Sequence, residues 1–296
     1  MELIKSTNFD FVGKRRIAYI FSLIVILTGL IFFGIKGKDN FGVDFVGGDM
    51  MDIEFSKSCS ATDVREVIRT LNIGTYSVQV LGTDGKSFII KSGPNTHETI
   101  LEALREKYGE EGFAVKSSSL VSPSMSTTLR KKALYAFIAG MLGILLYLTI
   151  RFEFRFAVGA TVAIFHDMLF VVAVLALTKK QIDATAIAAL LTIAGYSVND
   201  TVVIYDRVRE NIRKYRDNDY VAVFNRSINE TLSRTVLTVL TTLFVVVCLF
   251  FFGGETLHIF SFALLIGFVI GTYSSIFIAT SLLIDWHRLK PHKFNV

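Results

Sequence analysis

The chain has 296 residues, of which 52% are hydrophobic, 26 are Phe and only 19% are charged. That balance excludes an ordinary soluble domain and places much of the chain in lipid. The formal net charge of +5 gathers at the ends of apolar runs, so it is a topology signal and not a nucleic-acid surface.

Residues 1–16 are basic and end Lys14-Arg15-Arg16, and residues 17–35 carry no charge. This run is long enough to cross a bilayer and longer than a signal-peptide core, and Lys36 and Lys38 follow it in place of a small-residue cleavage site. Residues 1–36 are therefore expected to be a cytoplasmic start and a retained first span.

Residues 37–129 change character, with mixed charge and turn residues, and are expected to fold outside the membrane as one small domain. Met51, Ile53 and Phe55 alternate with Asp52 and Glu54 as a strand, and Val64, Val67, Ile68 and Leu71 keep helical spacing behind Thr62-Asp63. Residues 76–81 and 87–91 flank a turn at 83–86; Ile100, Leu101, Leu104 and Tyr108 mark a second helix begun near Asn95-Thr96; residues 113–117 form a last strand. The order βαββαβ predicts a ferredoxin-like split-βαβ sheet covered by two helices, an α+β domain. Ahead of it lies Phe41-Gly42-Val43-Asp44-Phe45-Val46-Gly47-Gly48. No GKS/T element follows, so a phosphate loop is not expected. A tight turn at the domain's base is: Gly42, Gly47 and Gly48 permit close backbone approach, and Asp44 can accept turn hydrogen bonds.

Five further spans are read from the rest, making six with both ends cytoplasmic. They run over 133–150, 156–178, 184–205, 235–252 and 257–284, with basic turns at 151–155 and 179–183, a basic loop at 207–233, a turn at 253–256 and a tail over 285–296. Spans two to four thus lie within 130–206, and five and six within 234–284. Arg130, Lys131, Lys132, Lys179 and Lys180 fall on the outer side against the positive-inside rule, outweighed by the inner clusters at 207–216 and 286–290. Cys59 is in the polar region and Cys248 in a span, so a disulfide between them is not expected.

The fourth span carries Asn199-Asp200 about 25 Å of helix beyond Ala184. A carboxylate at such depth costs about 2.5–3.5 kcal/mol even on insertion scales, so it faces a protein interior or water pocket, takes a proton or meets a cation. Arg234 opens the next span, with Thr238, Thr241 and Thr242 at i+4, i+7 and i+8, which makes one helix face polar. Asp200 and the Arg234–threonine stripe are expected to face each other inside the bundle and to handle protons, with Asn199 and Thr238 beside them. Snorkelling of both charges to the interface is the plainer alternative. His166-Asp167 interrupts the third span, where pairing with a neighbouring helix or a subsidiary place on a proton path both fit; no third ligand is nearby to suggest a metal. In the last span Ala263, Gly267, Gly271, Ser275 and Ala279 recur every fourth residue, a ridge for close helix packing. No Ser/His/Asp or Cys/His set lies on one side of the membrane, so an enzyme is not expected. No cofactor is expected beyond a coupling ion, for which Ser197, Asn199 and Thr201 suit H⁺ or Na⁺.

The glycine motif at 42–48, Ile164-Phe165-His166-Asp167, the run from Gly195 to Asn211, Leu232-Ser233-Arg234-Thr235 and the run from Ile266 to Ile276 resemble the SecF family. That family is a subunit of the accessory complex of bacterial Sec export, and the resemblance covers nearly the whole chain in order. It implies half of an RND-type transporter in the cytoplasmic membrane that pairs with SecD and uses the proton-motive force to help complete preprotein export after the SecYEG channel and SecA, with YajC as a further partner. By motif position Asp200 would carry the proton, Arg234 would be its paired cation, and 42–48 would be the base of the soluble domain. Half of an RND-type exporter of lipids or small molecules, or a purely structural subunit, are the alternatives.

Overall fold

The computed structural model describes residues 7–74, 76–81, 84–121, 123–215 and 219–291. Among these, six helices are long and apolar enough to cross a membrane. The chain is a multi-pass helical membrane protein with a small α+β domain between its first and second spans.

The first span is α1 (Arg15–Lys36), closed by a short 3₁₀ turn (Gly37–Asn40) and a single helical turn α2 (Val43–Val46). The domain then runs β1 (Gly48–Phe55), α3 (Ala61–Thr70), β2 (Tyr76–Leu81), β3 (Ser87–Ser92), α4 (His97–Tyr108) and β4 (Phe113–Val121). All four strands are antiparallel to their neighbours in the order β2-β3-β1-β4, the split-βαβ sheet the periodicity predicts. Inward-facing Met51, Ile53, Phe88 and Ile90 are fully buried against Val64, Ile68, Ile100 and Leu104 of the two helices. Phe55 anchors the far end, edge-on to Phe88 and Tyr108. Ser60 caps α3 by accepting from the Thr62 amide, two residues before the Thr62-Asp63 start expected. The last strand is four residues longer than its apolar pattern because Ser118, Ser119, Leu120 and Val121 stay paired with β1. Residue 83 of the expected turn lies outside the described residues.

The remaining spans are α5 (Pro123–Arg151), α6 (Phe154–Leu177), α7 (Ala184–Tyr215), α8 (Tyr220–Phe252) and a last helix built of α9 (Gly254–Ser274), a π-helical turn (Ser275–Ala279) and α10 (Thr280–Leu289). Every helix overruns its apolar stretch. The expected loop 207–233 is the main correction: residues 207–215 continue α7 and 220–233 begin α8. These extensions turn Val208, Phe224, Ser227 and Ile228 inward, and Asn211 donates to Ser227 Oγ (3.0 Å) and Glu230 Oε2 (2.7 Å). Asp219 caps α8 through the amides of Val221 and Ala222. Arg216 lies outside the described residues. The turn expected at 253–256 shrinks to Gly253, and Arg130, Lys131 and Lys132 sit within α5 and not in a loop.

The bundle's centre is α6, α7 and α9, whose facing residues Ala163, Ala186, Ala189, Ile193 and Ala263 are fully buried. On α1, α5 and α8, Ile17, Tyr135 and Phe244 stand open to the surroundings, as lipid-facing helices require. Residues 7–12 cross α8 as a strap: Asn225 Oδ1 accepts from the Phe11 amide at 2.8 Å, and Asn229 accepts from the Phe9 amide and donates to the Phe9 carbonyl, both at 2.9 Å.

Candidate functional site

Asp200 is almost fully buried on the inner face of α7, where its Oδ2 accepts a hydrogen bond from Thr272 Oγ1 of α9 at 3.2 Å. Arg234 acts on this carboxylate electrostatically, yet no ion pair or hydrogen bond joins them, and its side chain is exposed on α8. The expectation that the two face each other within a closed bundle is therefore corrected. The acid is inside, and the base stands on the open flank beside it. Asn199 is also exposed, because one residue is 100° of helix turn away from Asp200. Along α7, Ala188, Thr192, Gly195 and Asn199 form an uncovered stripe of small and polar residues.

The threonines of α8 are largely occupied by their own helix. Thr238 donates to the Arg234 carbonyl (2.9 Å), Thr241 to the Thr238 carbonyl (2.9 Å) and Thr242 to the Thr238 carbonyl (2.8 Å), the back-bonding common to threonine within helices. One hydroxyl reaches across, since Tyr196 on α7 donates to Thr242 Oγ1 at 3.2 Å.

A second buried acid lies deeper. Asp167 on α6 is completely enclosed; its Oδ2 accepts from Ser197 Oγ at 2.6 Å and Ser274 Oγ at 2.8 Å, and its Oδ1 lies 3.0 Å from His166 Nδ1. His166 Nε2 is buried with no hydrogen-bond partner among the described residues. Asp167 thus ties α6 to both α7 and α9, the interhelical pairing its position suggests. Thr201 and Ser275 share a hydrogen bond at 2.8 Å one turn further along.

Small residues let these helices approach. A Cβ at Gly267 would collide with the Ile193 side chain, and one at Gly271 would lie 3.3 Å from Ser197 Cβ. Ala263 and Ala279 are fully buried, so the ridge of the last span lies against α7. It is not one regular helix, because the π turn inserts itself at Ser275, and such bulges favour functional sites. Tyr205 donates to the Ala279 carbonyl there, at 3.1 Å. Thr272, Ser274 and Tyr205 are site residues that sequence reasoning missed. A Ser197–Thr201–Tyr205 hydroxyl stripe at i, i+4 and i+8 was the available signal.

At the other end of α7, the glycine motif is a helical turn and not a bare loop. Gly47 has φ +89°, a left-handed stop that glycine accepts without strain, and a Cβ on Gly48 would strike the Ser92 carbonyl. Gly42 donates its amide to the Ile182 carbonyl at 2.9 Å. Asp44 bonds to none of the turn's own amides. Its Oδ1 accepts from Lys91 Nζ at 3.1 Å and its Oδ2 from the Ala184 amide at 3.3 Å.

Over most of its length the chain matches a described family. The model of the C-terminal region of the protein export membrane proteins SecD and SecF fits residues 100–289. The protein translocase subunit SecF of Thermodesulfovibrio yellowstonii is 43% identical over 95% of both chains, and that of Rhodothermus marinus is 40% identical over 96% of this chain and 95% of its own. The chain belongs to the SecF family. Among solved structures, SecDF from Thermus thermophilus, described as a translocon-associated membrane protein, superposes with a TM-score of 0.79 at 33% identity, covering 97% of this chain. SecDF in its super-membrane-facing form gives 0.78, also at 33% identity over 98% of this chain. This SecF-family chain spans only 40% of those SecDF chains, whereas it matches the SecF subunits over nearly their full length.

Proposed function

We propose that this chain is the SecF half of a Sec accessory motor in the cytoplasmic membrane, pairing with SecD and using proton flow to help draw preproteins outward. In this reading both ends of the chain face the cytoplasm, where SecA works, and the sheet domain lies outside, beside the exit of SecYEG and its associated YajC.

The observation that carries the proposal is Asp200: a carboxylate enclosed in the bundle, held by the Thr272 hydroxyl and flanked on the open side by Arg234, which makes no ion pair among the described residues. A charge so placed is stabilised by protonation or by a nearby cation, so movement of Arg234 relative to Asp200 exchanges one for the other. One elementary charge crossing the membrane is worth about 2.3 kcal/mol per 100 mV, enough to bias a two-state element by a modest step, so several protons serve each preprotein. Asn199, Gly195 and Arg234 are uncovered and Thr238 is half-buried beside them, and small residues there permit a close helix-to-helix seat for the SecD half. Asp167 joins this path as the inner acid, linked to α7 through Ser197. The sheet domain, its interior filled by Met51, Ile53 and Phe88, supports a lever and not a tunnel for small molecules.

The test is Asp200→Asn in proteoliposomes holding the SecD partner and the channel, with preprotein export driven by a pH gradient or, separately, a sodium gradient. Export is expected to fall at least tenfold under the proton gradient while the complex assembles normally. Undiminished export from an assembled complex removes Asp200 from the mechanism, and dependence on sodium alone reassigns the ion.

A further inference from the structure

We propose that Asp44 is the residue that transmits movement of α7 to the sheet domain, a positioning role that rests on the motor reading above.

The argument starts at the two ends of α7. The helix is unbroken from Ala184 to Tyr215, so a displacement at Asp200 reappears at Ala184, about 24 Å away along a rod that rises 1.5 Å per residue. At Ala184 the rod meets Asp44. One carboxylate oxygen takes the Ala184 amide, and the other takes Lys91, the last residue but one of the sheet domain's β3. An amide in the first turn of a helix has no intrahelical acceptor, so a carboxylate there is both a hydrogen-bond partner and a charge suited to that helix end. Asp183 occupies the neighbouring amide of Ala186 at 2.8 Å, leaving Ala184 to the residue that comes from outside the helix.

The turn that carries Asp44 packs against α5 and is clasped to the entry of α7. Gly42 donates to Ile182 and Ile182 donates to the Asn40 carbonyl at 2.7 Å, a two-way backbone clasp on the segment that leads into α7. Phe45 is buried in the same apolar cluster as Ile182, Ala186 and Leu190. Asn40 in turn caps α1 through the Phe33 and Gly37 carbonyls. From this knob the chain enters β1 through Gly47-Gly48, a hinge-like pair, while Lys91 ties it to the adjacent strand β3. The chain itself joins the domain to the spans at Gly47-Gly48 and where β4 leads on to α5, and Lys91 adds a side-chain tie on β3, between those joints and α7. Lys91 and Asp44 are each about one-fifth exposed, shielded enough for the pair to hold its geometry. The strand β2 also rests on α9, so the domain has a support against which this attachment can turn it.

The experiment uses the full chain assembled with its partner. Spin labels at Glu102→Cys on α4 and Lys179→Cys beside α7, in a Cys59→Ala, Cys248→Ala background, report the domain's angle to the membrane helices by pulsed dipolar spectroscopy. Asp44→Ala and Lys91→Gln are each expected to broaden the distance distribution, and Asp44→Glu to keep it narrow. In proteoliposomes Asp44→Ala is expected to keep proton flux within twofold of the parent while export falls at least fivefold, whereas Asp200→Asn loses both. An unchanged distance distribution overturns the proposal. So does loss of flux together with export in Asp44→Ala, which marks a merely structural residue. Failure of Asp200→Asn to alter flux or export instead defeats the motor reading, and the distance measurement then still decides whether Asp44 sets the domain's angle.

Discussion

The Tyr205 hydroxyl on α7 donates to the main-chain carbonyl of Ala279, 3.1 Å away, at the last residue of the π turn in the final span. A π turn shifts the helical hydrogen-bond ladder by one residue, so some carbonyls need partners from elsewhere. Tyr205 is fully buried and its ring packs edge-on against Phe156 at 5.0 Å, which fixes where the hydroxyl points. Tyr205→Phe keeps the ring and removes only the donor. It is expected to cost about 1–2 kcal/mol and to speed amide exchange over residues 275–280. Exchange unchanged there would show that the bulge satisfies itself.

Asp167 gathers donors from three helices, so its loss leaves polar groups stranded in the driest part of the bundle. Asp167→Ala is expected to destabilise the detergent-solubilised protein by about 2–4 kcal/mol, from orphaned hydroxyl and imidazole groups. Asp167→Asn, which keeps an acceptor for Ser197 or Ser274, is expected to lose less. Thermal unfolding of the two variants side by side checks the order, and equal losses would point to charge and not hydrogen bonding as the important property.

Gly267 makes a prediction about pairs. Gly267→Ala drives a methyl into Ile193, and crowding of this kind costs about 1–3 kcal/mol. Ile193→Val trims the colliding side chain. The double variant is expected to be more stable than the sum of the two single losses implies, because the sites touch. Strict additivity in a thermal-unfolding cycle would mean that the helices simply move apart.

Cys59 titrates outside the membrane, where burial first and the neighbouring Asp63 second push its thiol above the ordinary range. A raised thiol pKa means less thiolate at a given pH, so alkylation at pH 8 is slow and accelerates as pH rises. Asp63→Asn removes a like charge and lowers the pKa, and is expected to raise the rate at pH 8 about twofold or more. The Cys248→Ala background isolates the signal. No rate change would leave burial as the whole cause.

Much of this architecture was legible in residue order because lipid and a two-sided sheet both impose strict patterns. Alternation at Met51, Ile53 and Phe55 and helical spacing at Val64, Val67, Ile68 and Leu71 were enough for the βαββαβ order, and the depth of Asp200 in an apolar run was enough to single it out. The helical extensions at 207–215 and 220–233 were missed because their apolar residues are sparse and they bury Asn211 and Ser227 as readily as Val208. Arg234 was placed inward on the strength of its threonines, but those hydroxyls bond to their own helix and therefore say little about which way the face points. The partners of Asp44 are 47 and 140 positions away, a distance over which no local pattern carries information.

The strap over α8 has a bearing on how the molecule is made. Asn225 and Asn229 clasp backbone that left the ribosome more than two hundred residues earlier. Domains and segments form in the order of synthesis, so those early amides stay hydrated at the membrane face while four spans insert. The clasp closes only once the first turns of α8 have followed those four spans, a late latch on the earliest part of the chain.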